Sequence, residues 1–300
     1  MSKPIFTMLM GLAGSGKSHY ATILSKQINA TVFSSDSLRE EMFGDVNDQE
    51  HNTEVFHELH KRIKECLKSG KNAIYDACNI SSKRRKAFIQ ELNKINCWKC
   101  CVVMATPYEQ CLKNNSNRDR VVPENVIDRM YRSFNPPYWF EKWDSIEIVY
   151  WDDAENSMDV MNQIHSRMDY NQDNPHHTLT LGEHCVMTGY ELKDDRMLFY
   201  AGLLHDIGKT HVKSFTNSKR EITDVAHYYG HEHVSAYESL FCEYDDVNTL
   251  DVSVLIDLHM CPYYWEREHN EKLRNKYKKL WGEDLYQKVM KLHEADRAAH

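Results

Sequence analysis

A short run near the start of the chain has the residue types and spacing that hold a phosphate. Residues 11–18 read GLAGSGKS, follow an apolar run at Ile5–Met10 and precede a segment that we expect to be helical from Lys17. Glycines allow successive backbone N–H groups to turn towards an anion, and a helix N-terminus adds the positive end of its dipole. The order of strand, glycine-rich loop and helix therefore predicts a nucleoside triphosphate site.

We expect the polar groups of this loop to act on ATP. Lys17 would reach the β- and γ-phosphates during phosphoryl transfer, and the Ser18 hydroxyl would join the shell of a Mg²⁺ ion. The predicted ATP-binding residues of the loop are Gly11, Gly14, Ser15, Gly16, Lys17 and Ser18.

Short apolar runs alternate with helix-sized segments over the first half of the chain. Further strands are predicted at 31–34, 72–76, 98–104 and 146–151, and helices over about 52–69 and 82–95. This alternation is typical of an α/β fold with a parallel sheet flanked by helices. Ligands of such sheets gather at the carboxyl ends of the strands, where the glycine-rich loop also lies.

Two carboxylates follow predicted strands. Asp36 comes just after the strand at 31–34, and either Asp36 or Ser37 could simply cap the next helix, with Glu40 completing a capping box. Asp76 ends the strand at 72–76, where its carboxylate could hold a water molecule bound to Mg²⁺. The basic run at 83–86 fits a solvated helix face, although it could also contact phosphate.

A polar stretch carries two arginines before a predicted helix at 124–131. Arg118 and Arg120 precede Pro123, a residue favoured at helix starts. Arginines on a loop opposite a phosphate site suit a lid, because they neutralise charge on a transferring phosphoryl group. A solvated loop is the alternative reading of this stretch.

Together these features resemble the kinase domain of phage-type polynucleotide 5′-kinases. The resemblance covers about residues 3–151 and rests on the glycine-rich loop and on segments 35–39, 76–79 and 117–123. It implies that Asp36 takes the proton from an attacking 5′-hydroxyl and that Arg39 binds the phosphate of the acceptor.

The resemblance also implies roles for the lid. Arg118 matches the second of two lid arginines and would bind ATP and assist catalysis. Asn114 stands where the first arginine would be, and Arg120 could compensate for it.

Residues 152–174 are polar and separate two differently patterned halves. They contain one expected helix at 158–168, and beyond them strand-like runs largely stop, which predicts an all-α second domain. We therefore expect a P-loop domain over 1–153, a linker over 154–174 and a helical domain over 175–300.

Histidines are concentrated in this second half, and one adjacent pair stands out. His205 and Asp206 lie between Leu203-Leu204 and Ile207-Gly208-Lys209. Histidine supplies a neutral nitrogen and aspartate an oxygen that can bridge two ions. The pair therefore predicts a metal site.

This pattern resembles the HD superfamily of metal-dependent phosphohydrolases over about residues 175–300. The resemblance implies that His184, His205, Asp206 and Asp296 hold one metal, and that His231 and His259 would complete a site for two. His233 is a rival for the position of His231, and Lys209 would contact the phosphate as an electrophile. Mn²⁺, Fe²⁺, Ni²⁺, Co²⁺ and Zn²⁺ all suit such ligands.

Composition limits the class of protein. The 300 residues carry a net charge of −8, so a generic nucleic-acid coat is excluded, although a local basic groove could hold a strand end. The apolar runs are strand-sized and the N-terminus lacks a signal-peptide core, so we expect no membrane segment and a cytoplasmic location, in the host if the protein is viral. We expect the nine cysteines to be free thiols rather than zinc ligands.

The two resemblances together predict healing of broken RNA or DNA ends. The first domain would phosphorylate a 5′-hydroxyl, the second would remove a 3′-phosphate or a 2′,3′-cyclic phosphate, and a separate ligase would seal the strand. One alternative is a kinase of nucleosides or of small groups linked to RNA, joined to a hydrolase of free nucleotides. Another is a nucleotide sensor that gates the HD domain. The oligomeric state is not predicted.

Overall fold

The chain forms two compact units. A computed structural model describes residues 3–118, 120–175 and 177–299. The first unit comprises residues up to Ile127 together with Pro137–Asp152, and the second comprises Asp128–Pro136 and the residues from Asp153 onward. The segment 154–174, expected as a linker, falls in the second unit, where Val160 and Ile164 of a short helix are buried.

A five-stranded parallel sheet forms the centre of the first unit. Its strands are β1 (Ile5–Met10), β2 (Ala30–Ser34), β3 (Asn72–Asp76), β4 (Trp98–Ala105) and β5 (Ser145–Tyr150). They lie in the order β2-β3-β1-β4-β5, and every pairing is parallel. The central strand β1 is almost wholly buried because helices cover both faces of a sheet of this kind. The predicted α/β fold is confirmed.

The helices of the first unit follow the predicted spacing of apolar residues. They are α1 (Lys17–Gln27), α2 (Ser35–Phe43), α3 (Asn52–Lys68), α4 (Ser82–Leu92), α5 (Tyr108–Ser116) and α6 (Glu124–Tyr131), whose last residues belong to the second unit. In α3 the buried residues are Val55, Leu59, Ile63 and Leu67, four apart, so one face packs inward. Helix α4 ends at Leu92, three residues earlier than expected, and a turn at Asn93 follows it.

The second unit is helical. Its helices are α7 (Val160–His165), α8 (Leu181–Glu191), α9 (Arg196–Leu204), α10 (Lys209–Val212), α11 (His231–Glu238), α12 (Thr249–Leu258), α13 (Cys261–Arg267), α14 (Glu271–Trp281) and α15 (Glu283–Ala298). Helix α7 is shorter than the expected 158–168. Asp159 caps its start and accepts a hydrogen bond from Asn162 N, and a turn over residues 166–169 follows its end. An antiparallel hairpin of β6 (Ser214–Thr216) and β7 (Ile222–His227) interrupts the helices, and the sequence pattern did not predict it.

Close packing of two helices brings the candidate metal ligands of the second unit together. A Cβ atom added at Gly202 of α9 would lie 2.9 Å from the Cα of Gly189 in α8. No larger residue fits this crossing. The approach sets the separation of His184 on α8 from His205, which directly follows α9.

Among the described residues, no helix combines the length and the hydrophobicity that a transmembrane span requires. The nine cysteines are free thiols, and six of them are buried, including Cys97, Cys100 and Cys101.

Candidate active sites

The glycine-rich loop follows β1 and has the backbone conformation that an anion-binding loop needs. Gly14 and Gly16 have φ angles of 83° and 85°, in the region that favours glycine. A Cβ atom at Gly14 would lie 2.2 Å from the carbonyl oxygen of Cys111, so only glycine fits there. The N–H of Gly11 donates to the carbonyl of Cys78 at 3.0 Å, which ties the loop to the end of β3.

Lys17 lies inside this loop. Its ammonium donates to the carbonyl of Leu12 at 2.7 Å, to the carbonyl of Gly11 at 3.1 Å and to Ser15 Oγ at 3.3 Å. These are neutral oxygens, so the charge of Lys17 lacks an anionic partner among these contacts, and phosphate oxygens would bind it more strongly. Ser18 is exposed on the first turn of α1.

Asp76 lies at the carboxyl edge of the sheet beside the loop. In the strand register it stands opposite Leu9 of β1 on one side and Ser34 of β2 on the other. Its side chain is buried. The position suits a carboxylate that holds a water molecule of a Mg²⁺ shell, because such ions keep several waters.

Asp36 does not cap α2, so this alternative is wrong. Ser34 is the capping residue, and its hydroxyl accepts a hydrogen bond from Ser37 N. Asp36 lies one residue into the helix with its carboxylate held between two guanidinium groups. Arg39 contacts Oδ1 at 2.8 Å and Arg120 contacts Oδ2 at 2.7 Å.

The two arginines are themselves held by amide side chains. Arg39 is buried and donates to Asn52 Oδ1 at 2.8 Å, while Arg120 donates to Asn47 Oδ1 at 2.9 Å. Neither asparagine belongs to the motifs that we quoted, and no sequence signal would have found them. The carboxylate of Asp36 thus lies between two cations, at the edge of the sheet that also carries the phosphate loop.

The expected lid arginines are not equivalent. Arg120 faces Asp36, whereas Arg118 is exposed on the turn after α5. Asn114, at the position of the missing lid arginine, donates to the carbonyl of Gly14 at 2.9 Å and so supports the phosphate loop. Asp119, in the same segment, lies outside the described residues.

The basic run at 83–86 is not uniformly a solvated face. Arg85 is buried and forms a bidentate ion pair with buried Glu141, with both distances 2.9 Å. It also donates to the carbonyl of Asn79, and Asn79 in turn donates to the carbonyl of Leu9 at the end of β1. Arg85 therefore supports the carboxyl edge of the sheet.

In the second unit all six predicted metal ligands come together. His184 lies on α8, Asp296 lies on α15, and His231 begins α11. His205 and Asp206 directly follow the C-terminus of α9, and His259 directly follows the C-terminus of α12. Among the described residues, three groups offer one ligand atom per residue with these atoms all within 4.8 Å of one another: His184 with His205 and Asp206, His205 with His259 and Asp296, and Asp206 with His231 and His259.

The four histidines share one orientation. In each ring Nδ1 donates to a backbone carbonyl, of Ala299, Gly202, Tyr228 and Ile256, at 2.6 to 2.8 Å. A carbonyl oxygen only accepts, so the proton of each neutral ring is on Nδ1 and Nε2 presents a lone pair. Metal-ligating histidines are oriented in this way. The Nε2 atoms of His184 and His205 lie 3.1 Å apart, and those of His231 and His259 lie 3.3 Å apart.

The carboxylate of Asp206 joins the two histidine pairs. Its Oδ2 lies 3.3 Å from His184 Nε2 and 3.4 Å from His205 Nε2, and its Oδ1 lies 3.1 Å from His231 Nε2 and 3.8 Å from His259 Nε2. One carboxylate with a separate oxygen towards each pair is a suitable bridge between two cations. These donors fit a divalent transition metal.

Electrostatics favour positive charge in this cluster. Burial disfavours a charged His184, but hydrogen bonds to Asp206 and Asp296 outweigh it and raise the pKa of His184 to about 10. Burial also opposes ionisation of Asp206, yet attraction by Lys209 and His205 holds the pKa of Asp206 well below its usual range. Burial, with His205 and His231 nearby, lowers the pKa of His259 to about 4, which keeps that ring neutral.

The cluster opens into a cavity of about 350 Å³. Lys209 lines it and contacts Asp206 Oδ2 at 2.6 Å and Gln172 Oε1 at 2.9 Å. Tyr263 lines it as well and donates to Asp296 Oδ2 at 3.1 Å. Gln172 and Tyr263 were missed, because neither lies near the HD pair in sequence. His233, the rival ligand, pairs instead with Asp257 at 2.7 Å.

Each half of the chain matches a family. A family model described as an AAA domain matches residues 6–137, and one described as an HD domain matches residues 176–299. Among curated proteins, the L-seryl-tRNA(Sec) kinase of Methanococcus maripaludis is 24% identical over 147 residues. The match covers 47% of this chain, which spans 57% of the length of that kinase.

Structural comparison also finds partial likenesses to solved structures. The APS kinase CysC of Mycobacterium tuberculosis is 17% identical, with 51% of this chain and 91% of that chain covered and a TM-score of 0.40. A chain of the Pnkp1/Rnl/Hen1 RNA repair complex is 22% identical, with 43% of each chain covered and a TM-score of 0.40. By its sheet and its phosphate loop the first unit has a kinase-like P-loop fold, and the second unit is a helical domain that matches the HD family model.

Proposed function

We propose that the protein heals broken nucleic-acid strands. The P-loop domain transfers phosphate from ATP to a 5′-hydroxyl end, and the HD domain removes a 3′-phosphate or a 2′,3′-cyclic phosphate. The observation that carries this proposal is the carboxylate of Asp36, held between Arg39 and Arg120 at the edge of the sheet that also carries the phosphate loop. A nucleoside triphosphate sensor needs no base with phosphate-binding cations at the acceptor side.

In the kinase step Asp36 is the general base. The 5′ oxygen forms a bond to the γ-phosphorus, the bond to the β-phosphate oxygen breaks, and the hydroxyl proton passes to Asp36 as ADP leaves. The phosphate of the acceptor strand competes with Asp36 for the guanidinium of Arg39, which frees Oδ1 to accept the proton. Lys17 holds the β- and γ-phosphates, while Arg120 and Arg118 neutralise charge on the transferred group.

Ser18 and Asp76 would hold Mg²⁺, directly and through water. When bound with ATP, Mg²⁺ supplies charge neutralisation on the β- and γ-phosphates. The backbone N–H groups of the loop between Gly11 and Lys17 orient the same phosphates.

In the HD step, His184, His205, Asp206 and Asp296 would hold one metal, with His231 and His259 added for a second. The metal supplies Lewis acidity that activates water near neutral pH. Lys209 binds a phosphate oxygen of the substrate, and Asp206 holds Lys209 in place at 2.6 Å. Water adds to phosphorus, the bond from phosphorus to the 3′ oxygen breaks, and a proton of that water passes to the leaving oxygen. A 2′,3′-cyclic phosphate needs a second hydrolysis of the same kind at the 2′ oxygen.

The products of the two steps are a 5′-phosphate and a 3′-hydroxyl, the ends that a ligase joins. A separate ligase is therefore the proposed partner, and RNA or DNA ends are the substrates. The proposed location is the cytoplasm, which would be that of the host cell if the protein is viral.

A second candidate function has its own support. The matched curated relative is named for phosphorylating a seryl group attached to tRNA. A kinase for a small group linked to RNA would use the same loop and the same base, and the HD domain would then hydrolyse free nucleotides.

The test uses an RNA oligonucleotide with a 5′-hydroxyl and a 2′,3′-cyclic phosphate, with ATP, Mg²⁺ and Mn²⁺. Wild type should gain a 5′-phosphate and lose the cyclic phosphate. Lys17→Ala and Asp36→Asn should lose only the first change, and Asp206→Ala only the second. Parallel reactions contain the matching DNA, mononucleosides, free nucleotides and serine-charged tRNA.

The outcomes separate the candidates. Phosphorylation of charged tRNA or of nucleosides, with both oligonucleotide ends unchanged, would replace end healing by the second function. Retention of every ATP-dependent output in Asp36→Asn would indicate a nucleotide sensor.

A further inference from the structure

The hairpin of the second unit brings aromatic side chains to the HD cavity. His227 ends β7, and Tyr228 and Tyr229 follow it directly. All three line the cavity of about 350 Å³ that also contains Asp206 and Lys209. Ligand pockets range from about 300 to 1,000 Å³, so this cavity has room for one terminal nucleotide.

Hydrogen bonds fix this end of the hairpin to the segment that supports Lys209. Ala226 N donates to the carbonyl of Asp173 at 2.8 Å, and Asn174 Nδ2 donates to the carbonyl of Ala226 at 3.0 Å. The Tyr228 hydroxyl donates to the carbonyl of Gln172, whose side-chain oxygen accepts from Lys209. The aromatic residues and the phosphate-binding lysine are therefore positioned by one short stretch of chain.

His227 and Tyr229 form a stacked pair at the cavity. They are two residues apart and project to the same side, as in a strand. Their ring centroids are 5.5 Å apart and the ring planes differ by 6°. Tyr229 is 55% exposed although it lines the cavity.

Both rings are also fixed at their polar atoms. The Tyr229 hydroxyl accepts a hydrogen bond from Ser218 N at 3.1 Å, and His227 Nε2 lies 3.1 Å from Thr223 Oγ1. A ring held at both ends loses little conformational freedom when a ligand stacks on it. An exposed aromatic face that is already oriented therefore binds a flat ligand at low entropic cost.

We propose that the His227–Tyr229 pair is a stacking platform for the terminal nucleobase of the strand whose 3′ end enters the HD site. This inference rests on the proposed function and specifies its substrate class, a phosphate ester that carries a nucleobase. The platform would bind this base whatever its identity. Every base has a π-face, so stacking accepts any of them, whereas hydrogen-bond readout would not.

The test compares two oligonucleotides that differ only at the 3′-terminal unit. One ends in an ordinary nucleotide 3′-phosphate and the other in an abasic 3′-phosphate. With wild type, loss of the base should lower kcat/KM about fivefold to 150-fold, the range that one base–aromatic stack contributes. Tyr229→Ala should lose about the same factor on the ordinary end and change little on the abasic end.

Two matched variants separate stacking from folding. Tyr229→Phe keeps the ring and should stay close to wild type, and Ile222→Ala, at an 89% exposed position of the same hairpin, should not change either rate. An equal loss on both ends in Tyr229→Ala, or no loss on either, would overturn the platform.

If wild type hydrolyses neither end, the platform is tested by equilibrium binding instead. A nucleoside 3′-monophosphate and ribose 3-phosphate are then titrated into wild type and Tyr229→Ala. If wild type binds the nucleoside 3′-monophosphate more tightly than ribose 3-phosphate, and Tyr229→Ala loses this preference, the platform is supported and 3′-end healing is rejected. Equal affinities in wild type would reject both.

Discussion

The Nε2 atoms of His184 and His205 lie 3.1 Å apart, although each ring already donates from Nδ1 to a backbone carbonyl. Two lone pairs at this distance repel unless a cation lies between or beside them. A proton on His184 relieves the repulsion in the metal-free protein, and a divalent ion bound by both nitrogens would relieve it better. The surrounding carboxylates of Asp206 and Asp296 favour either cation.

Metal binding should therefore raise thermal stability. At a Mn²⁺ concentration about 100-fold above its dissociation constant, the native state gains about 2.7 kcal/mol, or about 5–10 °C in the melting temperature of the HD domain. Asp206→Asn should abolish most of this rise in a calorimetric scan, because it removes the bridging charge. Asp246→Asn, at a side chain that is 94% exposed, is the matched control. A rise of equal size in Asp206→Asn would exclude the assigned ligand set.

A methyl group at Gly14 should destroy the phosphate loop. Gly14→Ala places a carbon 2.2 Å from the carbonyl oxygen of Cys111, so the loop must open and ATP affinity should fall at least 100-fold in a calorimetric titration. Gly44→Ala is the matched variant, because Gly44 has a φ of 70° but no atom within 4 Å of the added carbon. It should cost only about 1–2 kcal/mol of stability and leave ATP binding intact. Equal ATP affinity in the two variants would contradict this account of the loop.

Loss of one partner of the buried Arg85–Glu141 pair should destabilise the first unit strongly. Arg85→Ala leaves the Glu141 carboxylate buried and uncompensated, at a cost of about 3–5 kcal/mol in urea unfolding. Arg84→Ala, at an exposed neighbour in the same basic run, should change stability by less than about 0.5 kcal/mol. A double variant, Arg85→Met with Glu141→Leu, should recover most of the loss. If both single alanine variants were equally stable, the buried pair would not support the sheet edge.

The two lid arginines should differ in their effect on kinase activity. Arg120 contacts Asp36 and Arg118 does not, so Arg120→Lys should lower kcat by at least tenfold through loss of the planar contact. Arg118→Lys keeps the charge of an exposed side chain and should have the smaller effect. The assay is ATP-dependent phosphorylation of a 5′-hydroxyl oligonucleotide under saturating ATP. A larger effect at Arg118 would favour the lid assignment that the family resemblance implies.

The pH dependence of stability should include a contribution from His60. Burial lowers the pKa of His60 to about 4, and its ring stacks on Phe88 with centroids 3.9 Å apart. In the unfolded chain the pKa of this histidine is about 6.5, so the unfolded state binds the proton more readily than the folded state. The free energy of unfolding is therefore highest above about pH 6.5 and falls by at most about 3 kcal/mol as the pH drops towards about 4.

An NMR titration of the His60 ring nitrogens measures this pKa directly. The same ring signal is absent from His60→Phe, which should also show a shallower loss of stability between about pH 6.5 and 4. A His60 midpoint near 6.5 in the folded protein would contradict the burial effect.

Several features of this protein were readable from the sequence, because their constraints are local. The phosphate loop, the strands around it and the pair His205-Asp206 are each defined within a few residues, and hydrophobic spacing predicts helices such as α3 without further information. The site assignments themselves stay predictions until the variants are measured.

Other features depend on residues far apart in the chain, and only the tertiary structure decided them. Arg120 contacts Asp36 across 84 positions, and Arg85 pairs with Glu141 across 56. The choice of His231 over His233 depends on which face of α11 packs towards Asp206, and the spacing of the two histidines does not reveal it. A local pattern specifies which chemistry is available, whereas packing decides which side chains meet, because burial and charge pairing act between elements that the sequence keeps apart.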